Sequence, residues 1–194
     1  MTVVGCGGEE EETDKTLTGT VRIDGSHIVG QTLTALTNNL RGSGTISYQW
    51  KRNGTTNIGT NSSTYVVQAA DVDSTITVTV TRAENIGSVT SGATETIIWP
   101  SLTGTVSIEI TDSTGTVVSG YSAKVGDTLT ANTADLGGSG TISYQWRKYQ
   151  TNIIDANSRT YVVQTADVPS IYVRVTRAEN RGKVSDGVIT RPAR

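Results

Sequence analysis

Gly44-Thr-Ile-Ser-Tyr-Gln-Trp50 occurs twice in this 194-residue chain, the second time letter for letter from Gly140 to Trp146. Inside it Ile46, Tyr48 and Trp50 alternate with Ser47, Gln49 and then Lys51. A period of two puts alternate side chains on opposite faces of a strand, here one apolar and one wet. Ile76, Val78 and Val80 alternate with Thr75, Thr77 and Thr79 in the same way. Thr, Val, Ile and Tyr suit such a pleated, half-buried surface. Turn signals separate the runs: Asp24-Gly25, Arg41-Gly-Ser-Gly44, Asn53-Gly54 and Asn85-Ile-Gly87. Asn-Gly accepts the positive φ angles of tight hairpin turns at low energy. Six or seven short strands in roughly 85 residues, with no helical period, predict an all-β sandwich.

The repetition extends well beyond the heptapeptide. Between 44–68 and 140–164, 16 of 25 positions are identical. Thr81-Arg-Ala-Glu-Asn85 returns as Thr176 to Asn180, and Val29-Gly-Gln-Thr-Leu-Thr-Ala35 as Val125 to Ala131. Gly19-Thr-Val-Arg-Ile23 returns as Gly104 to Ile108 at a shift of 85 instead of 96, so the second copy holds 11 extra residues within Thr111 to Lys124. The expected organisation is an acidic N-terminal tether over 1–15, a first sandwich over 16–98, a linker over 99–101 and a second sandwich over 102–194. Pro100 in the linker holds Trp99 extended and offers no N–H to a sheet. Trp99 reads as a packing residue of the junction, and Tyr121 as a hydrophobic plug for the inserted hairpin.

The order Val-Gly-Gln-Thr-Leu-Thr-Ala, Tyr-Gln-Trp-Lys-Arg-Asn-Gly, Ser-Thr-Tyr-Val-Val, Ala-Asp-Val, Ile-Thr-Val-Thr-Val-Thr resembles a known repeat. It is similar to the bacterial immunoglobulin-like repeats of large cell-surface and adhesin-type proteins. The likeness covers roughly residues 17–190 and implies two tandem immunoglobulin-like β-sandwiches. It implies that Trp50 and Trp146 are the buried tryptophans of the third strand. Asp71 and Asp167 match the corner aspartate before the sixth strand. Val78 and Val173 fall where antibody domains carry a cysteine, so packing alone closes these cores. The family implies extracellular spacing or adhesion and names no ligand; fold does not give function.

Few residues suggest chemistry. His27 is the only histidine, and Ala123 stands at its place in the second copy. No Gly-x-Ser-x-Gly elbow, phosphate loop or Cys/His cluster occurs, so neither an enzyme nor a cofactor is expected. Asp71-Val-Asp73 resembles a calcium donor pair, but the second copy reads Asp167-Val-Pro169. Both aspartates therefore read as braces for backbone N–H groups. Asn53 and Asn61, each in an Asn-x-Ser/Thr triplet, read as turn composition. Net charge is −2, yet five of the 18 acids lie in residues 9–14. With Lys15 set aside together with that acidic stretch, the remainder carries a dispersed excess of two bases, too weak to indicate nucleic acid.

Two features bear on function. Strand parity puts Arg147 and Tyr149 on one wet strand of the second copy, and Tyr172 and Arg174 on its neighbour. The first copy has Lys51, Asn53, Thr77 and Thr79 there. Tyr and Arg commonly anchor interfaces, and aromatic faces stack on sugars, so these four form a candidate binding face. The simpler reading is cross-strand Tyr–Arg pairing. Secondly, Val3-Val4-Gly5-Cys6, followed by Glu9 to Glu12, resembles the end of a bacterial lipoprotein signal. Cys6 is the candidate lipid anchor and the expected sole link to a membrane. The leading expectation is a monomeric, non-catalytic surface spacer or adhesion module, displayed as an outer-membrane lipoprotein. The alternatives are a glycan- or protein-binding module using the wet face, and a domain of a phage tail or surface array.

Overall fold

The computed structural model describes residues 15–192, so Cys6 lies outside the described residues. The chain divides into two units, Met1–Ile98 and Trp99–Arg194. The first contains β1 (Gly19–Asp24), β2 (Thr32–Leu40), β3 (Ile46–Arg52), β4 (Thr56–Ile58), β5 (Thr64–Val66), β6 (Ile76–Arg82) and β7 (Val89–Thr90). They form two sheets, β1-β2-β5 and β4-β3-β6-β7. The second unit contains β8 (Ser107–Thr111), β9 (Val117–Val118), β10 (Ser122–Lys124), β11 (Thr128–Asn132), β12 (Ile142–Lys148), β13 (Thr151–Asn152), β14 (Thr160–Val162), β15 (Ser170–Arg177) and β16 (Val184–Arg191). Its sheets are β14-β11-β8-β9 and β10-β16-β15-β12-β13. Both units are immunoglobulin-like sandwiches, and the only helical elements among the described residues are 3₁₀ turns at Ala69–Asp71 and Thr165–Asp167.

The alternation read from the sequence decides which face is dry. Ile76, Val78 and Val80 of β6 are fully buried, as are Ile171, Val173 and Val175 of β15. Trp50 and Trp146 are each 0% exposed, so the largest side chain of each core is wholly inside. Burial strips the indole N–H of water, and it must find an acceptor. Trp50 Nε1 donates to Ser62 O at 2.9 Å, and Trp146 Nε1 to Ser158 O at 3.0 Å. Each indole also stacks on a tyrosine of the facing sheet, Tyr65 or Tyr161, with ring centroids 5.7 Å apart.

Those tyrosines lead to the corner. The Tyr65 hydroxyl donates to Asp71 Oδ2 at 2.6 Å, and the same oxygen accepts the Gln68 N–H at 2.8 Å. The second unit repeats this with Tyr161 and Gln164 on Asp167 Oδ2, at 2.8 and 2.7 Å. Asp71 additionally accepts from Arg52 Nε at 2.8 Å, whereas Lys148 stands at the corresponding place in the second unit. Asp73 holds a left-handed φ of 62° and donates its N–H to Ile97 O. Among the described residues no group of three or more His, Cys, Asp or Glu is placed to hold a metal ion.

A second shared device explains the Arg41-Gly-Ser-Gly44 loop. Asn85 Oδ1 accepts the Ser43 N–H, and its Nδ2 donates to Lys15 O, both at 2.9 Å. Asn180 makes the equivalent bonds to Ser139 N–H and Pro100 O. A Cβ on Gly42 or Gly138 would lie 2.3 Å from the asparagine Oδ1, so only glycine fits at either place. Asn53 and Asn61 are likewise structural. Asn53 Oδ1 accepts the Thr75 N–H, and Asn61 Oδ1 accepts the Tyr48 N–H.

The 11 extra residues give the second unit strands the first lacks. Asp112 Oδ1 accepts from Thr114 N–H, Thr114 Oγ1 and Thr116 N–H, which closes the β8–β9 turn. These hydrogen bonds, the Thr114 hydroxyl first, hold its carboxyl below the usual aspartate range. β10 then pairs in parallel with β16 through Ser122↔Ile189, Ala123↔Thr190 and Lys124↔Arg191. In the first unit the corresponding contact is a single parallel bridge, Ile28↔Ile98. Tyr121 corrects a sequence expectation: it is 72% exposed and plugs nothing. Fully buried Ala123, at the place of half-buried His27, is what this segment commits to the core in the second unit.

Two outcomes follow for stability. Truncating Trp50 or Trp146 to Ala should destabilise its own unit by about 3–5 kcal/mol. Urea unfolding of each variant, beside wild type, checks this; an unshifted transition would place that ring outside the core. The second concerns pH. Burial first, and then the acceptor carboxylate, raise Tyr65 and Tyr161 well above the ordinary tyrosine value of 10.0. A raised folded-state pKa stabilises fully below the unfolded value and is lost as pH climbs above it. Stability should therefore fall above pH 10. Tyr65→Phe with Tyr161→Phe should flatten that decline, measured as unfolding midpoints at neutral and alkaline pH.

Candidate binding face of the second domain

β15 and β12 build the face. Because Ile171, Val173 and Val175 point into the core, parity sends Ser170, Tyr172, Arg174 and Thr176 outward. Trp146 is buried, so Gln145 and Arg147 lie on the same outer side of β12. The register sets Arg147 opposite Tyr172 and Gln145 opposite Arg174. Gly187 of β16 sits opposite Tyr172 on the other side.

Arg147, Tyr172 and Arg174 are thus brought together, but Arg147 is not an open anchor. It is only 8% exposed, its guanidinium carbon lies 5.6 Å from the Tyr172 ring centroid, and Nη2 donates to Gln150 O. Its Nε is buried without a hydrogen-bond partner, as is that of Arg174. A cation held over an aromatic face supplies rigidity to both groups.

Tyr149 does not join them, which corrects the expectation from parity. Lys148↔Thr151 closes β12 onto β13 and leaves Tyr149 and Gln150 as a two-residue turn. Tyr149 takes a φ of 52°, so the alternation ends before it. Its ring is 59% exposed, with Lys148 Nζ 5.8 Å from the centroid. Trp99 is half-buried. His27 is half-buried too, with Nδ1 3.8 Å from Oε2 of solvent-exposed Glu95.

Tyr121 is the residue that sequence reasoning assigned elsewhere. It lines a shallow groove of about 300 Å³ together with Ser170, Tyr172, Gly187 and Ile189. Its carbonyl accepts the Ile189 N–H at 2.8 Å, which ties the insertion to the groove's edge. Gly187 makes the floor: a Cβ there would stand 3.0 Å from Tyr172 Cβ and 3.2 Å from Ile171 O. In the first unit Thr77 stands where Tyr172 does, and a Cβ on the corresponding Gly92 would meet nothing within 4 Å. The alternation Ser185, Gly187, Ile189 in β16 carried a readable signal for this floor. Tyr121 carried none, since it precedes its strand.

Sheet order, corner and core define the class: the chain is a tandem of immunoglobulin-like domains. No protein-family model matches it, and neither does any curated protein sequence. Among solved structures it is similar to three N-terminal domains of the bacteriophage RB49 Highly Immunogenic Outer Capsid protein, at 19% identity and a TM-score of 0.37, over 90% of this chain and 59% of that one. It is also similar to the N-terminal four Ig domains of a Dscam1 isoform, at 14% identity and a TM-score of 0.33 over 86% of this chain and 42% of that one. A titin I-band fragment gives 12% and 0.34, over 91% and 66%. The chain spans less than two thirds of each of these.

Proposed function

We propose that this chain is a non-catalytic recognition module for surface display, with the first domain as spacer and the outer face of the second as binding surface. One observation carries the reading. The two domains keep the Trp–Tyr–Asp brace and the asparagine-tied loop residue for residue, yet they differ on one solvent face. Thr77, Thr79 and Lys51 of the first domain are replaced there by Tyr172, Arg174 and Arg147. Packing does not require the exchange, because the first domain closes an equivalent core without it. Tyr and Arg are the residue types that concentrate binding energy at interfaces. A glycan or a cell-surface protein is the partner this face suits.

Restoring the first domain's residues is the direct test. Tyr172→Thr with Arg174→Thr should abolish binding in a screen of glycans and surface proteins while leaving the unfolding midpoint within a few degrees of wild type. Binding carried equally by the restored variant would remove this face from the reading. For display, Cys6 is proposed as the lipid attachment point and the acidic residues after it as the tether. Detergent-phase partitioning in the native host should disappear with Cys6→Ser; soluble secretion of both forms would exclude the anchor.

A further inference from the structure

The outer sheet face that carries the groove also carries an unbalanced charge. Lys124 and Arg191 are register partners across β10 and β16, and Arg147 and Arg174 are diagonal neighbours across β12 and β15. Like charges on directly paired strand positions destabilise a sheet. No carboxylate relieves them by ion pairing: among the described residues the ion pairs are His27–Glu95 and Arg52–Asp71, both in the first domain. The outward positions of β10, β12, β15 and β16 include no Asp or Glu. Asp186 accepts the Ile108 N–H instead of facing out, and Asp112 lies within electrostatic reach of Lys124. The corresponding face of the first domain has one cation, Lys51, among threonines.

The cations stand at the two ends of the groove. Arg174 lies beside Ser185, and Arg191 is six residues further along β16. At the strand rise that is roughly 20 Å. Between them come Tyr172 over Gly187, then Ser170 beside Ile189, with Tyr121 on the rim. Two aromatic rings and a serine hydroxyl line the middle, and positive charge marks each end.

We propose that this groove takes an acidic oligosaccharide, a sugar chain bearing carboxylate or sulfate groups, laid along β15 and β16. The proposal rests on the reading of this face as the recognition surface and adds its ligand class. Tyr121 and Tyr172 present faces on which sugar rings stack, and Ser170 offers a hydroxyl to sugar hydroxyls. Arg174 and Arg191 meet the anionic groups through forked, charge-assisted hydrogen bonds. Arg147 holds the Tyr172 ring in place from beneath, and Lys124 adds to the positive field. Charge selects the polymer, while the tyrosines and the glycine floor select a sugar chain over other polyanions.

The test uses the full chain with heparin, polygalacturonate, dextran and a short DNA duplex, by calorimetry at two ionic strengths. Heparin or polygalacturonate should bind, with affinity falling as salt rises, and dextran should not. The stronger of the two identifies sulfate or carboxylate as the recognised group. Arg174→Gln with Arg191→Gln should weaken that binding about tenfold or more. Arg191→Gln with Tyr121→Ser changes only exposed side chains, so it keeps the domain folded and should weaken binding as well. If dextran binds as tightly as the acidic polymers, or both variants bind them as wild type does, the ligand class is wrong although the face remains a recognition surface. DNA bound as tightly as the sugars, and unaffected by Tyr121→Ser, overturns the sugar assignment. Failure to bind either acidic polymer overturns the inference, leaving the protein partners of the wider screen to decide the parent reading.

Discussion

A buried indole, a tyrosine ring and a corner carboxylate form one linked unit in each domain. Trp50 comes from β3, Tyr65 from β5 in the opposite sheet, and Asp71 from the turn that carries the chain back to β6. The stack joins the sheets, and the hydroxyl then fixes the crossover to that stack. Each polar atom involved is out of water, so each must be matched: indole N–H to Ser62 O, phenol O–H to Asp71, and the second carboxylate oxygen to Arg52. An unmatched buried donor or acceptor costs about 1–3 kcal/mol, a large part of a small domain's stability. The tryptophan, tyrosine and aspartate accordingly hold their spacing in both copies, while Lys148 stands in place of Arg52, and the cores close without a disulfide among the described residues.

Much of this was legible because alternation needs no distant information. Ile76, Val78 and Val80 follow a period of two, and so does their burial. The letter-for-letter heptapeptide gave the repeat, and the repeat fixed the place of each tryptophan. The brace from Asp71 to Tyr65 was less legible, since the local pattern shows a turn aspartate but not the hydroxyl that reaches it from another strand. Parity failed where strands stop. Tyr149 continues the count from Gln145 and Arg147, but a two-residue turn begins at it and its φ is positive. Tyr121 sits one residue before β10, where no alternation constrains it.

The candidate face shows how duplication separates two demands on one fold. Residues that hold the sheets together are shared, and residues that look outward are free to diverge. Arg147 illustrates the boundary between these classes. It replaces a lysine on the wet side, yet it is buried under Tyr172 and supports that ring instead of meeting solvent. Gly187 does the complementary task by leaving room where any side chain would press on Tyr172. The insertion leads directly into Tyr121 and β10, so the altered length lies beside both the rim of the groove and the edge of the sheet.

That edge has a mechanical consequence. β10 and β16 run parallel, so tension that draws the chain ends apart drags one past the other once the load reaches β10. Three neighbouring register pairs then carry the load at once, in shear. The first domain meets the same pull with the lone Ile28↔Ile98 bridge at that place. At that edge, therefore, the groove-bearing sandwich sets more parallel pairs against a shearing pull than the first one does.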